Sequence, residues 1–288
     1  MKVLMIGATG KYAGLVLPEL IKRGAIVRAL VQDESKVEAA HRQGAAETAI
    51  GNLRDSVSLR AAASGVDGVF HINPVFAPDE ADMGVAMVEA AKAAGVRKFV
   101  FSSVIHPSIS KMANHAAKRP VEEALYESGL DFTVLQPTMF MQTLAESWPG
   151  VLKTGQLSMP FSKLAKVSYV DYRDVAEAAA LALTGDTLSY GTFEMCAPGM
   201  VDRIEIAAMM SEALGRTVEA GEMPFEAWAQ AAHLPDGPVR EGMKILDADY
   251  DRYGFPGGNA LILRAILGRE PRTLRHYIEE LTQSGKDN

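Results

Sequence analysis

The first residues that could do chemistry form a glycine-rich turn after a short apolar run. Residues 7–14 read Gly-Ala-Thr-Gly-Lys-Tyr-Ala-Gly, and the Gly-Lys pair at 10 and 11 resembles a phosphate-binding P-loop. A P-loop also needs a glycine five residues before that pair and a Ser or Thr after the lysine, because that hydroxyl binds magnesium. Met5 and Tyr12 occupy those two positions, so the P-loop is excluded.

The same turn meets the requirements of a dinucleotide site. Gly7 lies where the apolar run ends, and Gly10 has no side chain to block a pyrophosphate. Ala13 and Gly14 are small enough for a helix to pack on a sheet. A helix that begins here directs its N–H groups at the phosphates. With a strand before it and a helix and a strand after it, this spacing predicts a dinucleotide-binding turn.

The end of the second apolar run decides which dinucleotide fits. An acid there binds the ribose hydroxyls, whereas a cation accommodates a 2′-phosphate. This chain has a neutral Gln32 followed by Asp33. The cations that could reach a phosphate are Lys11, Arg28 and Lys36. These residues leave both NAD and NADP open.

The elements around the turn follow a regular alternation. Apolar runs of strand length alternate with helical patterns through residues 1–185, which predicts an α/β fold, a Rossmann doubly wound parallel sheet. A helix is predicted over 84–94. The predicted strands are Lys2–Ile6, Ile26–Val31, Ala46–Ile50, Gly68–Ile72, Lys98–Ser102, Asp131–Leu135 and Lys166–Val170.

The pattern changes after Leu183, where the alternation stops. Asp202 and Glu205 form a capping box that opens a predicted helix at 204–214, and further short helices follow. We therefore predict an NAD(P)-binding Rossmann domain of residues 1–148 plus 166–185. Residues 149–165 and 186–288 are predicted to form a smaller, mostly helical C-terminal substrate-binding domain.

Composition excludes several classes of partner. The chain has 29 Lys and Arg against 36 Asp and Glu, a net charge of −7, which favours neither nucleic acid nor an anionic membrane. The single cysteine, Cys196, permits no intramolecular disulfide and is typical of a reducing compartment. The apolar runs are too short for a signal peptide or a membrane span. We expect a soluble, cytoplasmic protein with no nucleic-acid or membrane partner.

Two other kinds of site are excluded by spacing. The sequence contains no HxxxH pair and no carboxylate cluster that would indicate a metal site. The GxSxG elbow of hydrolases is also absent. The scattered histidines are His41, His71, His106, His115, His233 and His276.

Several stretches together resemble the NmrA-like proteins, atypical members of the extended short-chain dehydrogenase/reductase superfamily. The resemblance covers nearly the whole chain, and it implies a Rossmann domain that binds NAD(P)H and a C-terminal cap that forms a substrate cleft. The stretches are GATGKYAG (7–14), VRALVQD (27–33), VRKFVFSSV (96–104), NHAAKRPVEEAL (114–125), GLDFTVLQPTMFMQ (129–142), VDYRDVA (170–176), YDRYGFPGGN (250–259) and LGREPRTLR (267–275).

The resemblance implies a set of cofactor contacts. The residues that would hold the pyrophosphate are Gly7, Thr9, Gly10, Lys11 and Tyr12, and those beside the adenine are Asn52 and Leu53. The residues beneath the ribose would be Ile72, Asn73 and Pro74. Those around the nicotinamide and its ribose would be Ser102, Ser103, Lys118, Pro137, Thr138, Met139 and Phe140. The family often has an arginine for the 2′-phosphate where this chain has Gln32. With Lys36 close by in the sequence, NADP(H) is slightly favoured over NAD(H).

The catalytic position departs from the superfamily pattern. Typical members carry Tyr-x-x-x-Lys, in which the tyrosine donates a proton and the lysine lowers its pKa. Here Asn114, which cannot transfer a proton, lies four residues before Lys118. Two roles stay open for Lys118. It is an acid or base, supplemented by His115, if burial lowers its pKa, or it is a clamp for the ribose while water protonates the acceptor.

The predicted function is that of an NAD(P)H-dependent oxidoreductase. It would transfer hydride to a small conjugated carbonyl, quinone or imine-type acceptor held in an interdomain cleft. The alternative is a non-catalytic NAD(P)-binding redox sensor of the NmrA type, which Asn114 in place of tyrosine favours. The chain is expected to be a monomer or a homodimer.

Overall fold

A computed structural model describes residues 1–284 of the chain. Within this range the strands are β1 Lys2–Ile6, β2 Ile26–Val31, β3 Glu47–Ile50, β4 Gly68–Ile72, β5 Lys98–Ser102, β6 Asp131–Pro137, β7 Met139–Phe140, β8 Gln156–Met159, β9 Tyr169–Val170, β10 Gly191–Met195 and β11 Glu219–Glu222. The helices are α1 Val16–Lys22, α2 Val37–Arg42, α3 Ser56–Ala63, α4 Glu80–Ala93, α5 Ala113–Ala116, α6 Arg119–Ser128, α7 Leu144–Thr154, α8 Tyr172–Thr184, α9 Arg203–Leu214, α10 Phe225–Ala231, α11 Pro238–Tyr253, α12 Leu261–Leu267 and α13 Leu274–Ser284. Short 3₁₀ turns precede α1, α2 and α7 at Ala13–Leu15, Glu34–Lys36 and Met141–Thr143.

Seven strands form one sheet in the order β10-β6-β5-β4-β1-β2-β3. The pairings among β1 to β6 are parallel. Helices α3, α4 and α6 contribute to one apolar layer against the sheet, while α1 packs with α8. The predicted Rossmann doubly wound sheet is therefore confirmed. Its strand order reverses between β4 and β1, and a reversal of this kind opens a crevice at the carboxyl ends of the strands.

The seventh strand of this sheet is not the predicted one. The run at 166–170 yields only β9, which pairs with β7 in a separate two-stranded sheet. The free edge of β6 is taken by β10 instead, which the sequence prediction omitted. An apolar run indicates that a strand can form, but it does not identify the sheet edge that offers hydrogen bonds to it.

The chain separates into two compact units. The first contains Met1–Pro137 and Tyr172–Glu194, and the second contains Thr138–Asp171 and the described residues from Met195 onward. These units divide the chain at other points than the predicted domains, because β7 pairs with β9 in the second unit and β10 joins the sheet of the first. In the second unit the predicted capping box is present, with Glu205 N–H donating to Asp202 Oδ1 at 2.9 Å. The roles of the two units as separate domains stay a prediction.

A single glycine allows α4 to approach α6 closely. A Cβ placed on Gly84 would lie 2.4 Å from Val121 Cγ2 and 2.8 Å from Asn73 Oδ1. Glu80 lies one helical turn before Gly84, and Lys118 lies almost one turn before Val121. The close approach at Gly84 therefore also brings the side chains of Glu80 and Lys118 towards each other.

Replacing Gly84 with alanine is expected to destabilise the protein by about 1–3 kcal/mol, because the new methyl group would overlap Val121. The matched control is Gly150→Ala in α7, where nothing lies within 4 Å of the Cβ position. Alanine favours a helix over glycine by about 1 kcal/mol, so the control should be neutral or stabilising. Urea unfolding measures the contrast. Equal stabilisation by both substitutions would contradict the tight packing at Gly84.

A buried lysine connects the edge strand with the rest of the sheet. Lys98, in β5, is 1% exposed. Its Nζ lies 2.8 Å from Asp131 Oδ2 and 2.9 Å from Asp186 Oδ1, and it donates to the Gly185 carbonyl at 2.7 Å. Asp131 begins β6, whereas Gly185 and Asp186 precede β10. Lys98 therefore joins two segments that lie far apart in the sequence.

Candidate functional site

The glycine-rich turn after β1 has a tight backbone geometry. Gly7 has a φ of +76°, which favours glycine, and its carbonyl accepts from the Gly10 N–H at 2.8 Å. A Cβ on Gly10 would lie 3.0 Å from the Gly7 oxygen, and a Cβ on Gly14 would lie 3.0 Å from the Ala8 oxygen. The Cβ of Ala13 lies 3.1 Å from the Cβ position of Gly7. The backbone therefore requires glycines in this turn, and Gly10 itself is exposed.

Three predicted contacts also belong to this turn. Thr9 and Tyr12 are half-buried, and Lys11 is exposed. The Lys11 ammonium lies 5.3 Å from the centre of the Tyr12 ring, and the Tyr12 ring lies 5.9 Å from that of Tyr172. The aromatic contact joins the turn to the start of α8.

Polar residues follow β2 at the surface. Gln32 and Lys36 are both exposed. Between them Asp33 caps the 3₁₀ turn by accepting from the Ser35 N–H at 2.9 Å. Hydrogen bonds from Ser35 hold the pKa of the Asp33 carboxyl below its usual value.

Arg28 is engaged by neighbouring elements. Its Nε donates to Glu47 Oε2 in β3 at 2.8 Å. Its Nη1 donates to the carbonyl oxygens of Ala62 and Ser64 at 2.8 Å and 2.7 Å. The guanidinium thus connects β2 with β3 and α3, which removes Arg28 from the cations considered for a 2′-phosphate.

Buried polar side chains join the end of β4 to the start of α4. His71 Nε2 lies 2.5 Å from Asn73 Oδ1, and Asn73 Nδ2 donates to the Glu80 carbonyl at 3.0 Å. Because the amide nitrogen of Asn73 donates to Glu80, its oxygen accepts, and we assign the proton to His71 Nε2. Burial lowers the pKa of His71 to about 4, so the ring is neutral at pH 7.

Lys118 and Glu80 form a buried ion pair beside this network. The two residues are 5% and 2% exposed, and Lys118 Nζ donates to Glu80 Oε1. The second carboxylate oxygen accepts from the Phe76 N–H at 2.8 Å, and Phe76 is buried with a φ of +62°. Burial lowers the pKa of the Lys118 amine, and the adjacent Glu80 carboxylate opposes that shift.

The two serines at the end of β5 bind different partners. Tyr172 OH donates to Ser102 Oγ at 2.9 Å, and burial raises the pKa of Tyr172. Ser103 Oγ donates to Glu122 Oε1 at 2.5 Å, and Glu122 also accepts from Gln136 Nε2 at 3.0 Å. The family resemblance implies the two serines as site residues, but not their partners Tyr172 and Glu122.

The short helix α5 carries the residue at the tyrosine position. Asn114 Oδ1 is buried, and no residue in the described part of the chain donates a hydrogen bond to it. His115 is fully buried, with Nδ1 3.1 Å from the His106 carbonyl oxygen. Burial lowers the pKa of His115 to about 4, so it is uncharged at pH 7 and cannot act there as an imidazolium acid.

The other predicted contacts of the first unit follow strand ends. Asn52 and Leu53 come after β3, and Asn52 Oδ1 accepts from the Arg54 N–H at 2.9 Å. Ile72 ends β4, followed by the buried Asn73 and the exposed Pro74, and Pro137 ends β6. Parallel strands end at a common edge, so the structure brings these residues to the same edge as the glycine turn and Lys118.

Three predicted contacts belong to the second unit. Thr138 is buried and its N–H donates to the Met195 carbonyl at 3.1 Å. Met139 and Phe140 form β7 and are half-buried. Their contact with a nicotinamide ring stays a prediction.

The buried histidines are expected to make the protein sensitive to acid. The pKa of His71 is about 4 in the folded protein and 6.5 when unfolded, so the unfolded state binds more protons between these values and stability falls as pH drops through them. The stability advantage of the wild type over His71→Gln should shrink by about 1.4 kcal/mol per pH unit between pH 6 and 4.5. Gln is chosen because it keeps a donor for Asn73.

Urea unfolding across this pH range measures the difference directly. The control is His233→Gln, which replaces an exposed histidine. This variant reports the effect of losing a histidine that is not buried. A stability difference for His71→Gln that stays constant with pH would show that His71 does not titrate as its burial requires.

Two kinds of feature are absent from residues 1–284. No group of three or more His, Cys, Asp or Glu residues there could hold a metal ion. No helix in the described chain combines the length and apolar character needed to cross a bilayer.

The carboxyl edge of the sheet fits a bound nicotinamide dinucleotide. The glycine turn lies where the strand order reverses, which is the usual ligand crevice of such sheets. A side chain at Gly10 would crowd the turn, and the buried Asn114 Oδ1 needs a hydrogen-bond donor. Fold and turn together define a dinucleotide-binding protein of the Rossmann class.

The chain belongs to the NmrA-like family, whose model matches residues 1–264. The predicted resemblance is confirmed. The chain is 33% identical over 238 residues to an NAD(P)H azoreductase from Xenophilus azovorans. The aligned region covers 80% of this chain and 79% of the relative.

Solved structures share the fold at lower identity. An NADPH-dependent quinone oxidoreductase from Escherichia coli, complexed with NADPH, matches with a TM-score of 0.84 at 22% identity, over 97% of this chain and 99% of the other. NmrA, a negative transcriptional regulator, matches with a TM-score of 0.77 at 18% identity, over 99% and 97%. The fold therefore occurs both in a reductase and in a regulator.

Proposed function

We propose that this chain is an NAD(P)H-dependent reductase of small conjugated carbonyl, quinone, imine-type or azo acceptors. The observation that carries the proposal is the buried amine of Lys118 at the strand edge that also bears the glycine turn. The relationship to an NAD(P)H azoreductase supports the oxidoreductase class. The identity of the acceptor and the position of its binding site stay predictions.

Each group at the edge has a role in this proposal. The Gly7–Tyr12 turn holds the pyrophosphate, and Ser102, Ser103 and Lys118 surround the nicotinamide ribose. Bound NAD(P)H supplies the hydride. Lys118 holds a proton at Nζ inside a buried site, and Asn114 Oδ1 accepts a hydrogen bond from a bound hydroxyl or amide.

For the cofactor, NADP(H) is proposed to be slightly favoured over NAD(H). Two cations, Lys11 after β1 and Lys36 after β2, are exposed at the surface where a 2′-phosphate would lie, whereas the guanidinium of Arg28 is held by Glu47. Gln32 offers neither a cation nor a carboxylate, so the preference should be small.

The test is a titration of the purified protein with NADPH, NADH, NADP⁺ and NAD⁺, followed by an acceptor screen with the tighter reduced form. The screen contains quinones, enones, imines and azo dyes, and the readout is oxidation of the reduced cofactor, followed by the loss of its absorbance. Oxidation that depends on the acceptor supports the proposal. Binding of the cofactor without oxidation by any acceptor class would overturn it.

A non-catalytic redox sensor is the second candidate, favoured by Asn114 at the tyrosine position and by the shared fold with a regulator. A sensor must bind the oxidised and reduced cofactors with different affinity, or couple them to different states of association. Size-exclusion chromatography with each cofactor tests this coupling. The monomeric or homodimeric state and the cytoplasmic location are retained as predictions.

A further inference from the structure

Glu80 is the partner that determines the environment of the Lys118 amine. Its carboxylate bridges Lys118 Nζ and the Phe76 N–H, and its own carbonyl accepts from Asn73. Glu80 is 2% exposed, so solvent contributes little to the position of either oxygen. The carboxylate is therefore fixed by groups in the loop between β4 and α4 and at the start of α6 before any ligand binds.

The contact with the fixed Glu80 carboxylate and the burial of the amine have opposite effects on the charge of Lys118. Removing an ammonium group from water favours its neutral form, whereas an opposite charge in contact favours the ammonium. Both effects act on Lys118: burial lowers its pKa and Glu80 opposes the decrease. Without Glu80, burial would act alone, and a neutral amine has no proton that it readily gives at neutral pH.

We propose that Glu80 is a positioning residue for Lys118, holding Nζ in place and in its charged form so that Lys118 can protonate the acceptor. This inference rests on the proposed reductase function. In a two-electron reduction one acceptor atom gains a hydride and the neighbouring heteroatom gains a proton. The Lys118 N–H bond breaks as the new O–H or N–H bond forms, and Lys118 is left as an amine beside Glu80. A proton from solvent then restores the ion pair.

The backbone around Glu80 indicates that this position is built rather than incidental. Phe76 adopts a left-handed conformation at φ +62°, which is costly for a bulky residue, and its N–H is satisfied by Glu80. Gly84 one turn later permits the close approach of α4 to Val121. The left-handed backbone at Phe76 and the close approach at Gly84 thus both lie beside the Glu80–Lys118 contact.

The first test titrates Lys118 in the cofactor-free protein. Lysines are acetylated competitively at a series of pH values, and the rate for Lys118 is normalised to that of the exposed Lys92 by mass spectrometry. The midpoint is the pH at which the acetylation rate of Lys118 is half its maximum. In Glu80→Gln this midpoint should fall by about one pH unit or more, because a contacting opposite charge shifts a pKa by about 1–3 units. In Glu80→Asp, which keeps the charge on a shorter side chain, the midpoint should lie between the two.

The second test compares kcat across pH for the same variants. As pH rises, kcat should begin to decline at a lower pH in Glu80→Gln than in wild type, because Lys118 loses its proton earlier. The KM for NAD(P)H should change little. Glu89→Gln is the control, because Glu89 is an exposed carboxylate on the same helix and should leave both profiles unchanged. A merely structural role for Glu80 would lower stability without moving the pH profile.

The two tests separate the inference from the function on which it rests. An unchanged Lys118 midpoint in both Glu80 variants overturns the inference, whatever the activity. A lowered midpoint with an unmoved kcat profile overturns the role in proton supply. A lowered midpoint in a protein that reduces no acceptor rejects the reductase function, while the control of the Lys118 charge by Glu80 is retained.

Discussion

Replacing Lys118 with methionine is expected to lower kcat for acceptor reduction by about 10²–10⁴-fold, the usual contribution of a positioned acid. Methionine fills a similar volume but has no proton to give. The affinity for NAD(P)H should change by less than about tenfold if Lys118 acts as the acid. If it is a ribose clamp, the loss appears mainly in cofactor affinity and kcat is largely retained. Stopped-flow reduction and a fluorescence titration separate these outcomes.

The substitution also removes one partner of a buried ion pair, which typically costs about 3–5 kcal/mol of stability. The control is therefore the double variant Lys118→Met with Glu80→Gln, in which no unpaired carboxylate is left in the interior. The double variant should recover stability without recovering kcat. Recovery of both would show that the single substitution acted only through folding.

Replacing Gly7 with alanine should weaken dinucleotide binding by about 10- to 100-fold. The added Cβ would lie 3.1 Å from Ala13 Cβ and 3.4 Å from Ile72 Cγ2, so the turn must shift to accept it. A rearrangement that costs about 1–3 kcal/mol corresponds to that loss of affinity. Isothermal titration with NADPH and NADH measures it.

Gly24 provides a closely matched control for this substitution. It has the same φ of +76° as Gly7, but nothing lies within 4 Å of its Cβ position. Both alanine variants bear the same left-handed strain, about 1–2 kcal/mol, so both should lose some stability. Only Gly7→Ala should lose affinity. Equal affinity in the two variants would remove the turn after β1 from the binding site.

Much of the first unit could be predicted from the sequence because its signals are local. Strand-length apolar runs identified β1 to β6, and the spacing of Gly7, Gly10 and Gly14 identified the turn. The seventh strand was missed because the runs at 166–170 and 191–195 are both compatible with a strand. The choice between them depends on pairing with β6 and on Lys98, which are contacts between distant segments.

The candidate site was only partly predictable for a related reason. Lys118 was proposed through the family pattern, but its partner Glu80 lies in the acidic stretch at 78–82, which precedes the start predicted for that helix. An acidic residue is usually exposed, and no local pattern shows that this one is 2% exposed. Arg28 stays among the candidates for a phosphate at the level of the sequence, because its pairing with Glu47 cannot be read from a local pattern. That pairing depends on the register of β2 and β3.

The late return of the chain to its first sheet affects how the protein is made. When a ribosome has produced residues 1–137, β6 is paired with β5 but still lacks its second neighbour, β10. The Lys98 amine then has Asp131 but neither Asp186 nor the Gly185 carbonyl. The nascent sheet therefore has an open edge and an incompletely paired buried charge until β10 has been synthesised. A gene fragment that ends at Pro137 would encode the first unit without α8 and β10, and therefore this unfinished sheet.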